Sequence, residues 1–428
     1  MSRKVLPTRD SDSDRLGAAI SAPLGVGKMT VMRAFRFAVC IDWLVVGIVI
    51  GCVARRSGDA NNEGWAGTVD TLANGVVVVS NPSEGIWDST NAWQLTAAFR
   101  LGSVEGNGPD VFARIIAIEA DQAGHVYVLD NVAQEVRVFD RTGEYVRTLG
   151  RPGEGPGEFR GANGMGWGPD GLLWVVDQRL NRFTSFDSTG ALVGSRRVPM
   201  STLSYAWQGA FTASGELFDL GYVQDGEKGR PVLLRFDGAS AYSDTIPFPD
   251  PPAHVFSWRN EQGGGGTTIP FAPEHVWTVS PAKQLWTSDA EQYRIHRVDL
   301  PGDTTLTIVR DAPVIHVTTD ERTKAIERVE RFMRGNRYDA NQIPESKPAL
   351  ERIAVDGFGY VWVQRPDSAG APGSDFDIFD QAGRFLGSLT TEYPVSSSPR
   401  FVVGVDRLYY VTIDDLGVQY VIASEITR

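Results

Sequence analysis

Short apolar stretches alternate with polar, glycine-bearing turns along most of this chain, and three of them superimpose without a gap. They are YVLDNVAQEVRVFD (Tyr127 to Asp140), WVVDQRLNRFTSFD (Trp174 to Asp187) and WTSDAEQYRIHRVD (Trp286 to Asp299). Each carries an aromatic residue, an Asp three places on, and a second Asp at the same distance: Asp130 and Asp140, Asp177 and Asp187, Asp289 and Asp299. The pattern reads as a β run, a polar turn at the first Asp, and a second run ending at the next. Upstream, DQAGHVYVLD, GPDGLLWVVD, VDGFGYVWVQ and ASGELFDLGY repeat a turn followed by alternating apolar positions. Downstream, FDRTG, FDSTG and FDQAG place Asp140, Asp187 and Asp380 first, and Gly143, Gly190 and Gly383 fourth, in a type I turn. A further strand follows each: EYVRTLG, ALVGSRRV and RFLGSLT.

A unit of strands and tight turns recurring about every 40 to 50 residues marks a propeller blade. The reading is an all-β fold, a β-propeller of six four-stranded blades, with five blades at 115–150, 164–199, 209–249, 275–310 and 350–390. The C-terminal stretch FVVGVDRLYYVTIDDLGVQYVIASEI offers about three strands of the usual four. Closure by both termini is expected, with GVVVVSN and QLTAAFRLG near the N-terminal end completing it; GVVVVSN could instead open a seventh blade. Two insertions interrupt the ring, near 254–274 and 318–345. The first holds the run Gly263 to Gly266 and is expected to be a mobile loop. The second turns helical, with Ala325, Ile326, Val329, Phe332 and Met333 on one face, capping-box spacing at Thr318 and Glu321, and Gly335 as a stop. That helix is expected to pack over the edge of the ring.

The stretch LGRPGEGPGEFRG (Leu149 to Gly161) invites a phosphate-loop reading, but no Lys-Ser/Thr follows its glycines and the stretch itself holds no G-x-G-x-x-G. LGSVEGNGPDVF (Leu101 to Phe112) repeats it with one extra residue, so the glycines read as a connector between blades, with Phe112 and Phe159 anchoring it between sheets.

Charge and cysteine content narrow the function classes. With 53 acidic against 41 basic residues and a net charge of -12, the chain makes a poor nucleic-acid surface. Its two cysteines, Cys40 and Cys52, both lie in the apolar run from Ala38 to Ala54, so the folded part holds no disulfide framework and no cysteine zinc site. Arg33 and Arg36 precede the run, and Val49-Ile50-Gly51-Cys52 resembles the lipobox of a bacterial lipoprotein signal, with Cys52 the residue to be lipidated. Asp42 inside the run costs about 3 kcal/mol if it sits centrally in a bilayer. Residues 1–28 look like neither signal nor fold, which points to a start at Met29 or Met32 and places them outside the mature protein. Residues 29–52 are then a lipoprotein-type signal or, alternatively, an uncleaved single-span anchor, 53–64 a linker and 65–428 the propeller. Either way the expected location is exported and membrane-anchored: a periplasmic or outer-membrane lipoprotein, or a single-pass inner-membrane anchor.

The pattern V-Y-V-x-D…V-F-D-x-x-G…L-G-R-x-G-x-G-P-G-E-F resembles the NHL-type repeat. Together with the signal it is similar to an exported six-bladed β-propeller family of bacterial genomes, the match being specific in the first two blades. That resemblance implies a fold and a compartment and no single activity. Lactonase-like propellers hold a divalent ion with carboxylates and an Asn, which keeps calcium open here although no cofactor is evident. Asp130, Asp177 and Asp289 are the repeat-related candidates, and a turn-capping role accounts for them better. Lyase relatives use histidine zinc ligands, but His125, His254, His275, His296 and His316 show no ligand spacing. No nucleophile elbow is present. Trp174, Trp286 and Trp362 share a repeat position with Tyr127 and Phe218, as blade packing requires. Trp207, Trp258 and Trp277 lie off the repeat and are the candidates for a ligand face.

The sequence therefore reads as an envelope propeller that binds a protein or small-molecule ligand, with no catalytic site evident. The alternative is a metal-dependent hydrolase or lyase with its site in the central channel.

Overall fold

The computed structural model describes residues 64–197, 206–212, 214–225, 228–236, 243–247, 254–260, 263–299 and 302–428. Two compact units are distinguished, Met1–Asp59 and Ala60–Arg428. The apolar run and Cys52 fall in the first, outside the described residues.

The second unit is a six-bladed β-propeller. Blade one is built from Ile115–Ala120, Val126–Asp130, Glu135–Phe139 and Tyr145–Leu149; blade two from Ala162–Trp167, Leu173–Asp177, Arg182–Phe186 and Leu192–Arg197. Blade three comprises Ala210–Phe211, Leu217–Asp225, Lys228–Phe236 and Asp244–Pro247, and blade four Val276–Val279, Gln284–Ser288, Arg294–Asp299 and Asp303–Arg310. Blade five holds Arg352–Val355, Val361–Gln364, Asp375–Phe379 and Phe385–Thr390. Blade six joins Val402–Val403, Arg407–Ile413 and Gln419–Thr427 to the N-terminal strand Gln94–Leu101. The first-listed strand of each blade is the innermost, and each neighbours the next around the ring, with Val402–Val403 returning to Ile115–Ala120.

Stacked blades bury both faces of a sheet, so the inner strands are apolar on successive positions instead of alternating; every residue of Val126–Asp130 is buried. The aromatic repeat position is the main packing device. Tyr127, Trp174, Phe218, Trp286, Trp362 and Tyr409 pair across to the innermost strand at Glu119, Gly166, Ala210, Thr278, Ala354 and Val402. Each belongs to a different interblade cluster, one aromatic for each of the six interfaces. The Asp-x-x-Gly turns form as the pattern requires. Asp140 Oδ1 accepts from the Thr142 and Glu144 amides at 2.8 and 3.0 Å, Gly143 N–H donates to Asp140 O, and Gly143 takes φ +89°.

The N-terminal segment closes the ring in a way the sequence reading had only in part. Gln94–Leu101 completes blade six, antiparallel to Gln419–Thr427. Val77–Asn81 neither joins it nor opens a seventh blade: it runs parallel to Asp303–Arg310 on the outer edge of blade four, itself paired with Thr68–Thr71. An outermost strand leaves unpaired backbone groups, and this edge is where the second N-terminal strand finds them. The Asn81 side chain, buried, then bridges blades four and five: it donates to Val309 O and Gly383 O, and accepts from Phe385 N–H and Trp65 Nε1. Beyond it the chain lies against Leu386 so closely that Gly85 has no room for a Cβ. Trp87 and Trp93 then pack at the interface of blades five and six. One arm thus binds three consecutive blades.

The glycine run of the first insertion is also a strand and not a loop. Val255–Asn260 and Gly263–Thr268 form a hairpin, and Gly265 gives up its side chain where Trp258 lies across it. The helix Thr319–Met333 has the full capping box at Thr318 and Glu321, buries Ala325, Val329 and Met333, and ends at Arg334 in the left-handed region, followed by Gly335. It packs on the hairpin through a cluster of Phe256, Ile269, Ala272, Val329, Met333 and Ile343, and Phe332, expected on the buried face, is 40% exposed.

Candidate functional site

The glycine-rich connector does cradle an anion, and the anion is its own. Glu158 accepts from the Gly155 amide at 2.8 Å and from Arg151 Nε at 2.9 Å, and these bonds hold its carboxyl below the usual range. A Cβ at Gly153 would strike that carboxylate, and one at Gly150 would strike the Phe159 ring. Phe159 is fully buried between blades one and two, and Phe112 packs between blades six and one.

The repeat-related aspartates serve the turns. Asp130 accepts from the amides of Ala113, Arg114, Val132 and Ala133, and Asp177 from those of Arg160 and Leu180. Asp289 is exposed and accepts from Glu291 N–H. Among the described residues no three His, Cys, Asp or Glu side chains are grouped as metal ligands.

The three off-repeat tryptophans fall in three places. Trp207 is buried between blades two and three, Trp258 is partly buried in the hairpin–helix cluster, and Trp277 is buried between blades three and four. They do not form one face. Trp277 alone lies beneath a charged group, and that group identifies the site.

All six innermost strands begin at the same end of the channel, where the chain passes from one blade to the next; both insertions emerge at this end too. Arg400 lies two residues before the innermost strand of blade six. Its Nη1 donates to the Gln208 carbonyl at 3.2 Å, just ahead of the innermost strand of blade three, and its guanidinium lies 5.2 Å from the Trp277 ring in blade four. Blades three and six are opposite in a ring of six, so the side chain crosses the channel mouth. Arg400 is solvent-exposed, and desolvation by the surrounding protein lowers its pKa to about 10, with Arg352 adding repulsion.

Arg352 opens the innermost strand of blade five. Its Nη2 donates to Ser396 O at 2.9 Å, and burial lowers its pKa against the attraction of Glu351 and Asp367. Burial pushes the Glu351 carboxyl up to about 7; Arg352 and Lys347 pull it down, while Asp367 and Glu274 push it further up. Gln364, paired with Arg352 across the sheet, is 1% exposed and finds no partner for either amide atom. Arg400 has no carboxylate beside it among the described residues. Arg160, at the corresponding end of blade two, pairs with Glu154 instead. Further down the channel Glu119 takes the aromatic-facing position that other blades fill with Gly, Ala, Thr or Val, and burial pushes its carboxyl up to about 8.

Two clefts lie nearby. One of about 210 Å³ is lined by Tyr293, Arg310, Val314, Lys347 and Arg365; the other, of about 440 Å³, runs between hairpin and helix past Phe271, Glu274, Arg328 and Phe332.

Sequence reasoning missed Arg400 and Arg352. The signal available was positional: counted back from the aromatic repeat position, Gln208 and Arg352 both fall ten residues upstream and Arg400 nine.

No curated protein matches the chain. The sequence family described as a six-bladed beta-propeller matches residues 111–215, blades one and two and the start of three. Among solved structures, a Bacteroides fragilis protein described as exported aligns over 82% of this chain and 100% of its own, at 11% identity and a TM-score of 0.47. Virginiamycin B lyase from Staphylococcus aureus aligns over 78% and 100%, at 12% identity and 0.40. A gluconolactonase from Xanthomonas campestris aligns over 71% and 83%, at 13% identity and 0.33.

Proposed function

We propose that this chain is a binding propeller held at the cell envelope, taking a small ligand into the channel mouth where the six innermost strands begin. The observation that carries the reading is Arg400, set across that mouth with solvent access and no neighbouring carboxylate among the described residues. Holding a charge in such a place costs free energy that a ligand can offset. Purified full-length protein incubated with a small-solute extract is expected to retain a solute by native mass spectrometry, and Gln208→Trp, which fills the mouth, to lose it. Equal retention by both, or none by either, rejects the reading.

The envelope location rests on Arg33, Arg36 and the run ending in Val49-Ile50-Gly51-Cys52. Labelling with a palmitate analogue in a bacterial host is expected to mark the wild type and leave Cys52→Ala unmarked. Equal incorporation would overturn the lipid anchor.

A further inference from the structure

We propose that the channel mouth recognises a carboxylate, with Arg400 as its counter-charge and the Trp277 ring as the ledge beneath; the proposal rests on the reading of the mouth as the binding site. The whole chain is strongly acidic, at a net charge of -12, so an unneutralised guanidinium at the channel mouth is a local reversal of sign. Its Nη1 is spent on Gln208 O, and the remaining donors have no protein acceptor among the described residues. A planar fork with free donors fits the two oxygens of a carboxylate.

Charge count separates carboxylate from phosphate. Arg352, the second guanidinium, already has Glu351 and Asp367 drawing on its charge, whereas the partners of Arg400 are the Gln208 carbonyl and the Trp277 ring. Arg400 is thus one positive charge with no anionic partner of its own among the described residues, which a carboxylate meets singly. A phosphate dianion would bring a second charge against Glu351 and Glu274. Trp277, only 6% exposed and fixed between blades three and four, supports the guanidinium from beneath at 5.2 Å.

The test uses full-length protein titrated calorimetrically with D-glucuronate, N-acetylalanine, D-glucose and inorganic phosphate. The two carboxylates are expected to bind and glucose not to; preference between the carboxylates tells a sugar acid from a peptide terminus. Arg400→Gln is expected to weaken carboxylate binding by about tenfold or more. Arg400→Lys, which keeps the charge without the fork, should fall between, and Arg331→Gln on the exposed helix should match wild type. Thermal melts of each variant establish that it is folded. Undiminished carboxylate binding in Arg400→Gln, or tighter binding of phosphate, overturns the proposal. If no probe binds while the solute captured from extract still depends on Gln208→Trp, the carboxylate proposal fails and the binding reading stands; if capture fails as well, both fall.

Discussion

Asp377→Ala is expected to lower the unfolding free energy by about 3–5 kcal/mol, the cost of leaving one partner of a buried ion pair alone. Asp377 lies in blade five with no exposed surface. It accepts from Arg310 Nη1 at 2.6 Å and Tyr293 OH at 2.7 Å on one oxygen, and from Ser388 Oγ at 2.6 Å on the other. Arg310 and Tyr293 belong to blade four, so the carboxylate joins two blades. Arg310 also donates to Ser83 O in the N-terminal arm and stacks 3.9 Å from the Phe385 ring centroid. Removing the carboxylate strands that guanidinium, 5% exposed, in an apolar interface. The double variant Asp377→Leu with Arg310→Met should be less damaged than either single one, since it removes both charges. Urea unfolding measures the wild type and all four variants. A loss below about 1 kcal/mol for Asp377→Ala would show that the interface relaxes around the gap.

Asp219→Asn should act in the opposite direction, and only above acid pH. Asp219 replaces the valine found at the matching place in blades one and two, is 1% exposed between blades two and three, and has its carboxyl pushed up to about 7 by burial. The Leu220 amide, donating to Asp219 Oδ1 at 2.9 Å, offsets part of that burial. The unfolded chain releases this proton near 3.8, the folded chain near 7, so between those values the folded state holds more protons and stability falls as pH rises. Above pH 7 the folded state carries the whole cost, on the order of 2–4 kcal/mol. The Asn variant keeps the shape and the acceptor for Leu220 without that cost. It is expected to match wild type near pH 4 and to exceed it at pH 8. Stability curves that run parallel across this range would show that the carboxyl is charged throughout at no penalty.

What the sequence disclosed was whatever depends on neighbours along the chain. The Asp-x-x-Gly turns at Asp140, Asp187 and Asp380, the aromatic at each blade's packing position, and the capping box at Thr318 are local devices, and the blade boundaries followed from them. The course of GVVVVSN was not legible, because its choice of edge depends on Asn81 reaching Val309 and Gly383, residues more than 200 positions away. The Gly263 to Gly266 run misled for a related reason: glycines signal a loop by composition, yet here they make room for a tryptophan on the adjoining strand. The candidate site was least legible of all. Arg400 sits in an ordinary polar connector, and its setting arises only when ring closure brings blades three, four and six to one point.

The sharing of blade six between the two ends of the chain also sets the order of assembly. Gln94–Leu101 pairs with Gln419–Thr427, across more than 300 residues of intervening sequence. Such a contact forms late, because its loop-closure cost is met only once the five intervening blades have condensed. A chain synthesised N-terminus first would therefore hold an open-ended array until its last strand emerged. For that interval the exposed edges of Gln94–Leu101 and Arg407–Ile413 are the segments most in need of protection from pairing with other chains.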